Sequence, residues 1–365
     1  MDLPSLQTPL RIPSRIAVLG LGLAGCSLLR ALALAKAPFE LVGFESRSWQ
    51  DWLEGQEAVG VLHPFVSKDH NLASQISQRA LPRSLQWLED LKASERGFAG
   101  LQGVLQNGDL QAGGWASLSR FSRACLEDAQ ARLKGQLRLH FSEPAPQAAR
   151  LFEQGFDAVV VTTGHAKLLP ETLHLALTPI AGQVSYLDLS SIPANTDQQR
   201  LKALLPDCVH CGEATLTPLV NNKVYIGSSF HRGVDQARVR SIDHQKNLAS
   251  LSQFMPELAQ ALSPYWSEAK AWTGVRYTTR DRLLHLGLAV HPNHHLSRSV
   301  SKLSQLPRWH GVYCFLGLGS RGLSTAPWAA EVLAKTLLGT PLQLPERLCN
   351  AIDPGRFVLR NHVRA

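Results

Sequence analysis

The sequence predicts an α/β protein in which a Rossmann-like dinucleotide-binding lobe carries an inserted, mainly antiparallel β lobe (an α+β insert). Three observations predict it. A strand–glycine–helix–strand unit occupies Arg15–Glu45. Two later apolar runs, Phe156–Gly164 and Val312–Gly317, also end in glycine turns, the second leading into a helical stretch. Between them, from Leu177 to about Lys270, β-branched and aromatic runs are separated by short turns such as Asn221-Asn222, the texture of an antiparallel sheet.

The first unit carries the most chemistry. Ile16-Ala17-Val18-Leu19 has the composition of a buried strand, and Gly20-x-Gly22-x-x-Gly25 follows it. Gly20 permits the tight turn, Gly22 lets backbone approach a pyrophosphate, and Gly25 lets helix and strand pack closely. The helical stretch Ser27–Ala35 offers unpaired N–H groups to the phosphates. A second strand, Phe39–Phe44, ends in Glu45, twenty positions after Gly25, where a carboxylate can take both hydroxyls of an adenosine ribose. This stretch alone leaves NAD and FAD both open.

Downstream, Ser46–Val61 reads as a loop, and Leu62-His63-Pro64-Phe65 as extended backbone able to run beside a ligand. Helical periodicity spans Leu72–Leu91, where Pro82 predicts a kink or break. Gly100–Gly114 reads as short strands and turns, and Ser117–Leu133 as a helix capped by Ser117 or Ser119. Gln136–Phe141 alternates as a strand. Phe156–Val161 should join the first strand's parallel sheet, bringing Gly164 to the same cofactor. Strands are expected at Gly182–Leu187, Thr215–Val220 and Lys223–Ser228, and helices at His244–Leu251 and Pro256–Ala261. Gly274–Asp281 reads as a polar, arginine-rich turn, and Ser324–Leu338 as the last lobe's helix. The expected organisation is a disordered lead-in at 1–14, a dinucleotide lobe at 15–80, 110–176 and 271–345, a substrate lobe at 81–109 and 177–270, and a basic tail at 346–365.

With 365 residues the chain can bury a large core in two lobes. No apolar run approaches the roughly 18–20 residues that span a membrane. The first fourteen residues lack the layout of a signal peptide, so a cytoplasmic protein is expected. Six cysteines are scattered, and Cys208-Val209-His210-Cys211, a single pair, makes a poor zinc site; His291, His294 and His295 read as a polar loop. No metal is expected. The net charge is +8 and the pI near 9.3. No acidic residue lies between Asp281 and Glu331, while Arg282, Arg298, Lys302, Arg308 and Arg321 do, and Arg356, Arg360 and Arg364 follow. Such an interval is either a solvated face or an electropositive sector facing nucleic acid.

Taken together, the opening fingerprint, Thr162-Thr163-Gly164, Gly182-Gln183-Val184 and the Gly317–Ser324 unit resemble the D-amino-acid-oxidase superfamily of FAD enzymes. Within it, Gly60-Val61-Leu62-His63-Pro64, Gly227–Gly233, Gly274–Asp281 and Gly319–Pro327 resemble the MnmC family of tRNA wobble-uridine oxidoreductase domains, over about Arg15–Arg360. The resemblance implies non-covalent FAD, since no cysteine matches an attachment site. It implies FAD contacts at Gly20, Gly22, Gly25, Glu45, Gly60, Val61, Leu62, Gly164, Gly319, Ser320, Gly322, Leu323 and Ser324. The last five direct backbone N–H groups at the flavin edge that becomes anionic on reduction.

The implied reaction removes the carboxymethyl group from 5-carboxymethylaminomethyl(-2-thio)uridine, leaving the 5-aminomethyl form and glyoxylate. Arg276 matches the arginine that holds the substrate carboxylate, a task its planar fork suits. Arg321, in the glycine turn, either contacts flavin or substrate or braces the loop. His231, Arg232, Arg298 and Lys302 are candidate contacts to the tRNA anticodon loop. Only fourteen residues precede the first strand, so any methylation of the product is expected to come from a separate methyltransferase. A small-molecule amine or amino-acid oxidase of the glycine or sarcosine type is the competing reading.

Overall fold

The computed structural model describes Leu6 and residues 12–54, 58–193, 196–293 and 295–364. The expected lead-in lies largely outside these, as does His294; Leu6 packs into the main core. Among the described residues the strands form three sheets. The six-stranded sheet runs in the order His285–Val290, Arg308–Leu316, Ala158–Val161, Arg15–Leu19, Glu40–Glu45, Leu137–Phe141. All its pairings are parallel except that of His285–Val290 with Arg308–Leu316.

Strand alternation explains why its first strand is apolar throughout. Ile16 and Val18 point into a core shared with helices Leu23–Leu34, Leu118–Leu133 and Gly322–Leu337, while Ala17 and Leu19 point into a second core on the opposite face. The helix Leu118–Leu133 is capped by Ser117, whose hydroxyl accepts the Arg120 N–H at 3.4 Å. Leu72–Asp90 is a single helical element that contains Pro82 without the break that the proline allowed for. It is braced where Trp87 Nε1 and Arg83 Nε donate to Glu331 at 2.9 and 2.7 Å, so packing carries it past the proline. The expected loop Ser46–Val61 contains the helix Trp49–Leu53 and the strand Val59–Leu62. That strand pairs with Gly114–Ser117 in a small antiparallel sheet.

The eight-stranded sheet is centred on Thr178–Asp188. Lys223–Gly227 and His231–Arg232 pair along one side of it, and Lys270–Thr278 along the other. One face is covered by helices Ser241–Phe254 and Pro256–Leu262 through Leu187, Val224, Ile226, Leu251 and Leu258. The other, through Val184, Trp272 and Arg276, faces Gly60, Gly319 and Gly322 across a cavity. The expected Gly274–Asp281 turn is therefore corrected: most of it is strand, because nine consecutive residues pair with Thr178–Tyr186, and the turn begins only after Thr278.

The C-terminal stretch is two packed helices, Glu346–Ile352 and Arg356–Arg364. Two of its arginines, Arg356 and Arg360, pair with Asp281. Arg356, 3% exposed, grips Asp281 through two nitrogens at 2.9 and 3.0 Å, and Arg308 does the same to Asp353. Arg356 also donates to Nδ1 of buried His285, whose Nε2 donates to the Leu175 carbonyl at 2.6 Å. Burial would raise the Asp281 carboxyl, but Arg356 and Thr279 outweigh it and hold the pKa at about 2. Burial, then Arg356, keeps His285 well below 6.5. Both shifts are depressions, so both contributions are present at neutral pH and lost on acidification. The His285 part fades below pH 6.5, where the unfolded imidazole takes a proton the folded one refuses. The Asp281 part fades from about pH 4 toward 2 and is worth roughly 2 kcal/mol. Thermal melts across pH should show the midpoint falling below about pH 6.5. At neutral pH, Asp281→Asn should cost about 3–5 kcal/mol by leaving Arg356 buried and half-paired; an unchanged midpoint would contradict that role.

Candidate active site

The glycine turn sits where Arg15–Leu19 meets helix Leu23–Leu34. Gly20 has φ +99°, a region that favours glycine. A Cβ on Gly25 would lie 2.0 Å from the Gly20 carbonyl oxygen, whereas one on Gly22 would meet nothing within 4 Å. Gly22 is also the helix N-cap, with no side chain capping the first turn and no acidic residue in it. Open space above free N–H donors at a helix N-terminus fits a pyrophosphate. Thr162, at the end of Ala158–Val161, places its hydroxyl 2.6 Å from the Gly20 carbonyl, and Gly164 follows at φ +80°.

Glu45 is buried beside this turn. Its Oε2 accepts the Leu21 N–H at 3.0 Å, and both oxygens accept from the Arg47 fork at 2.9 and 3.0 Å. Burial raises its pKa, but Arg47 more than compensates and the carboxyl titrates below its ordinary value. Arg47 was not foreseen, nor was Trp52, whose Nε1 donates to the Leu21 carbonyl at 2.7 Å and fixes the turn from the other side.

A cavity of about 330 Å³ opens between the two large sheets. Gly60, Val61, Gly319, Ser320, Gly322 and Leu323 line it from the dinucleotide lobe; Val184, Tyr225, Trp272 and Arg276 line it from the other. Leu62 and Ser324 are buried behind this wall. Gly317 and Gly319, at φ +75° and +56°, make the sharp turn that aims the N-terminus of helix Gly322–Leu337 toward the cavity. The shape and the uncapped helix start fit the flavin half of FAD.

Arg276 is the charged group of this cavity. Alternation along its strand puts Trp272, Gly274 and Arg276 on one face. Its Nη1 donates to Ser320 Oγ at 2.9 Å and its Nη2 to Ser228 Oγ at 3.2 Å, while the ring of Phe230 covers the guanidinium at 4.6 Å. Among the described residues no carboxylate pairs with it, and burial lowers its pKa from the ordinary guanidinium value. Room for the head comes from Gly182, where a Cβ would sit 2.3 Å from Nη2. His63 also lines the cavity. Burial, then the charge of Arg321, lowers its pKa below 6.5, and its Nδ1 donates to the Pro64 carbonyl at 3.0 Å. That leaves a neutral imidazole with Nε2 as acceptor.

The other expected residues are not gathered here. Arg321 stacks on Phe65 at 3.9 Å and lines a separate cavity of about 30 Å³ with Arg282. His231 points to the helix-covered side of its sheet, where Nε2 lies 2.8 Å from buried Asp243. Arg232, exposed, pairs with Ile180 across from Arg276 and so shares the cavity-facing side. Arg298 and Lys302 are exposed and are not among the residues that line the interlobe cavity. His63, Ser228, Phe230 and Trp272 were missed. For Trp272 the available signal was its period-two spacing from Arg276. All six cysteines are free thiols. Among the described residues no helix is long and apolar enough to cross a membrane.

The profile of the FAD dependent oxidoreductase family matches residues 108–336. Among curated proteins, the chain is similar to the tRNA 5-methylaminomethyl-2-thiouridine biosynthesis bifunctional protein MnmC of Chromobacterium violaceum, 34% identical over 57% of this chain and 32% of that one. It is also similar to MnmC of Burkholderia orbicola, 26% identical over 95% of this chain and 61% of that one. The chain thus spans between about a third and three fifths of these relatives' length. Among solved structures, glycine oxidase from Geobacillus kaustophilus shares the fold, with a TM-score of 0.64 at 15% identity, covering 94% of this chain and 99% of that one. The chain belongs to the FAD dependent oxidoreductase family, and FAD is its cofactor.

Proposed function

We propose that the chain oxidatively removes the carboxymethyl group from 5-carboxymethylaminomethyl(-2-thio)uridine at the tRNA wobble position, giving 5-aminomethyl(-2-thio)uridine and glyoxylate. The observation that carries this reading is Arg276, a largely buried guanidinium with no carboxylate partner among the described residues, facing the interlobe cavity. A substrate carboxylate supplies the missing counter-charge. The relatives' names supply the nucleoside.

When bound, FAD supplies the acceptor for a hydride from the carbon between amine and carboxylate. The protein's part is binding and orientation. The hydroxyls of Ser228 and Ser320 hold the Arg276 fork, so the carboxylate fixes the reacting carbon. Trp272, Tyr225 and Val184 wall the cavity against water. The amine must be neutral to release hydride, and His63 Nε2 is the acceptor available for its proton. As hydride leaves, the nitrogen lone pair closes a C=N bond. Addition of water then splits this imine into the primary amine and glyoxylate.

In this reading Gly20, Gly22 and Gly25 hold the pyrophosphate, Glu45 the ribose, and Gly60–Leu62, Gly164 and Gly319–Ser324 the rest of the cofactor. Arg232 meets RNA phosphate near the cavity mouth. One observation favours a small-molecule amine oxidase instead: Arg298 and Lys302 do not line the cavity. Anaerobic mixing separates the two. tRNA carrying the carboxymethylaminomethyl nucleoside should bleach the oxidised flavin within the mixing time of a manual assay, and free glycine or sarcosine should not; the reverse pattern would establish the small-molecule reading.

A further inference from the structure

Phe230 has no task in the chemistry above, yet its placement is specific. Among the described residues nine large hydrophobic side chains stand exposed, and Phe230, at 59%, is the one that lines the interlobe cavity. Its ring lies against the Arg276 guanidinium, centroid 4.6 Å away, which supports one side and leaves the remainder accessible. The backbone beneath it is held on both sides. Ser229 N–H donates to the Gln183 carbonyl at 3.0 Å, Gln183 N–H donates to Ser229 Oγ at 3.1 Å, and His231 is tied to Asp243. Two residues on, Arg232 emerges on the same face. A rigid aromatic ring with an accessible face, next to the carboxylate-binding arginine and an exposed surface cation, matches a nucleotide: base on the ring, phosphate on the cation.

We propose that Phe230 is the stacking platform for the uracil ring of the nucleotide whose side arm enters the cavity. This rests on the tRNA reading and deepens it. Arg276 holds the carboxylate at the far end of the side arm, and Phe230 holds the base at its near end. Two anchors set how far the arm reaches, which makes Phe230 a specificity-determining residue: a free N-alkylglycine has a carboxylate for Arg276 but no ring for Phe230.

The test is equilibrium binding of anticodon stem-loop RNA by fluorescence anisotropy, using the FAD-loaded full chain. Wild type, Phe230→Leu and Phe230→Trp are each measured with RNA carrying the carboxymethylaminomethyl uridine and with the same RNA made abasic at the wobble position. Phe230→Leu should weaken binding of the modified RNA by about 5- to 100-fold, the range expected for one base–aromatic stack, and Phe230→Trp should restore it. On abasic RNA the three proteins should bind alike. A Phe230→Leu loss that persists on abasic RNA, or no loss on either, would overturn the platform. Nucleoside analysis of the wild-type reaction separates the two failures. Conversion by wild type with no Phe230→Leu effect removes the platform alone, and absence of conversion removes the tRNA reading and the platform with it.

Discussion

Arg276→Ala should lower kcat/KM for the modified tRNA by two to three orders of magnitude while the purified protein keeps its FAD and its thermal midpoint. Removing one partner of a buried charge-assisted pair costs roughly 2–5 kcal/mol, here paid only when substrate is bound. Stability is spared because, among the described residues, the arginine has no carboxylate to strand; its neighbours are two serine hydroxyls and the Phe230 ring. Arg276→Lys should recover little of the loss, since a point charge cannot reproduce the two-point grip that Ser228 and Ser320 orient. Steady-state kinetics with flavin content read from absorbance checks both halves. Wild-type turnover by Arg276→Ala would remove the carboxylate assignment.

Gly25→Ala should yield protein that retains little or no FAD. The added methyl would lie 2.0 Å from the Gly20 carbonyl oxygen and 2.9 Å from Thr162 Oγ1. The nearest obstacle is backbone, so helix Leu23–Leu34 must move off the strand it follows. Overpacking of this kind costs about 1–3 kcal/mol, and the displacement falls on the N–H groups that face the pyrophosphate. Gly22→Ala is the contrasting variant. Its Cβ meets no protein atom within 4 Å, so the FAD-free protein should melt with wild type while FAD binding weakens by at least tenfold. Isothermal titration with FAD, alongside melts of the FAD-free proteins, distinguishes the two.

The parts of the site that rest on local sequence were legible. Arg15–Glu45 is strand, turn, helix and strand because its apolar runs and glycines leave few other options, and the structure follows it to within a few residues. The Ser117 cap was equally local. What could not be read depends on partners distant in sequence. Gly274–Thr278 looks like a polar turn until Thr178–Gly182, far earlier in the chain, pairs with it along its whole length. The acid-free interval from 282 to 330 suggested an electropositive face, but Arg308 reaches Asp353 beyond its end, and Arg356 of the following segment reaches Asp281 just before its start. Linear charge distribution does not report these pairings. Trp272 was hidden for a related reason: an aromatic in a strand usually faces a core, and only the packing of two sheets shows which face was left as a cavity wall; Phe230, in the connection between two short strands, had no periodicity to read.

The most direct test is nucleoside mass spectrometry of tRNA after incubation with the FAD-loaded protein and an electron acceptor, with glyoxylate measured in the same reaction. Loss of the 5-carboxymethylaminomethyl nucleoside, with equal gains in the 5-aminomethyl nucleoside and glyoxylate, is the predicted result. Persistence of the carboxymethylaminomethyl nucleoside, while free glycine or sarcosine is rapidly oxidised, would contradict it.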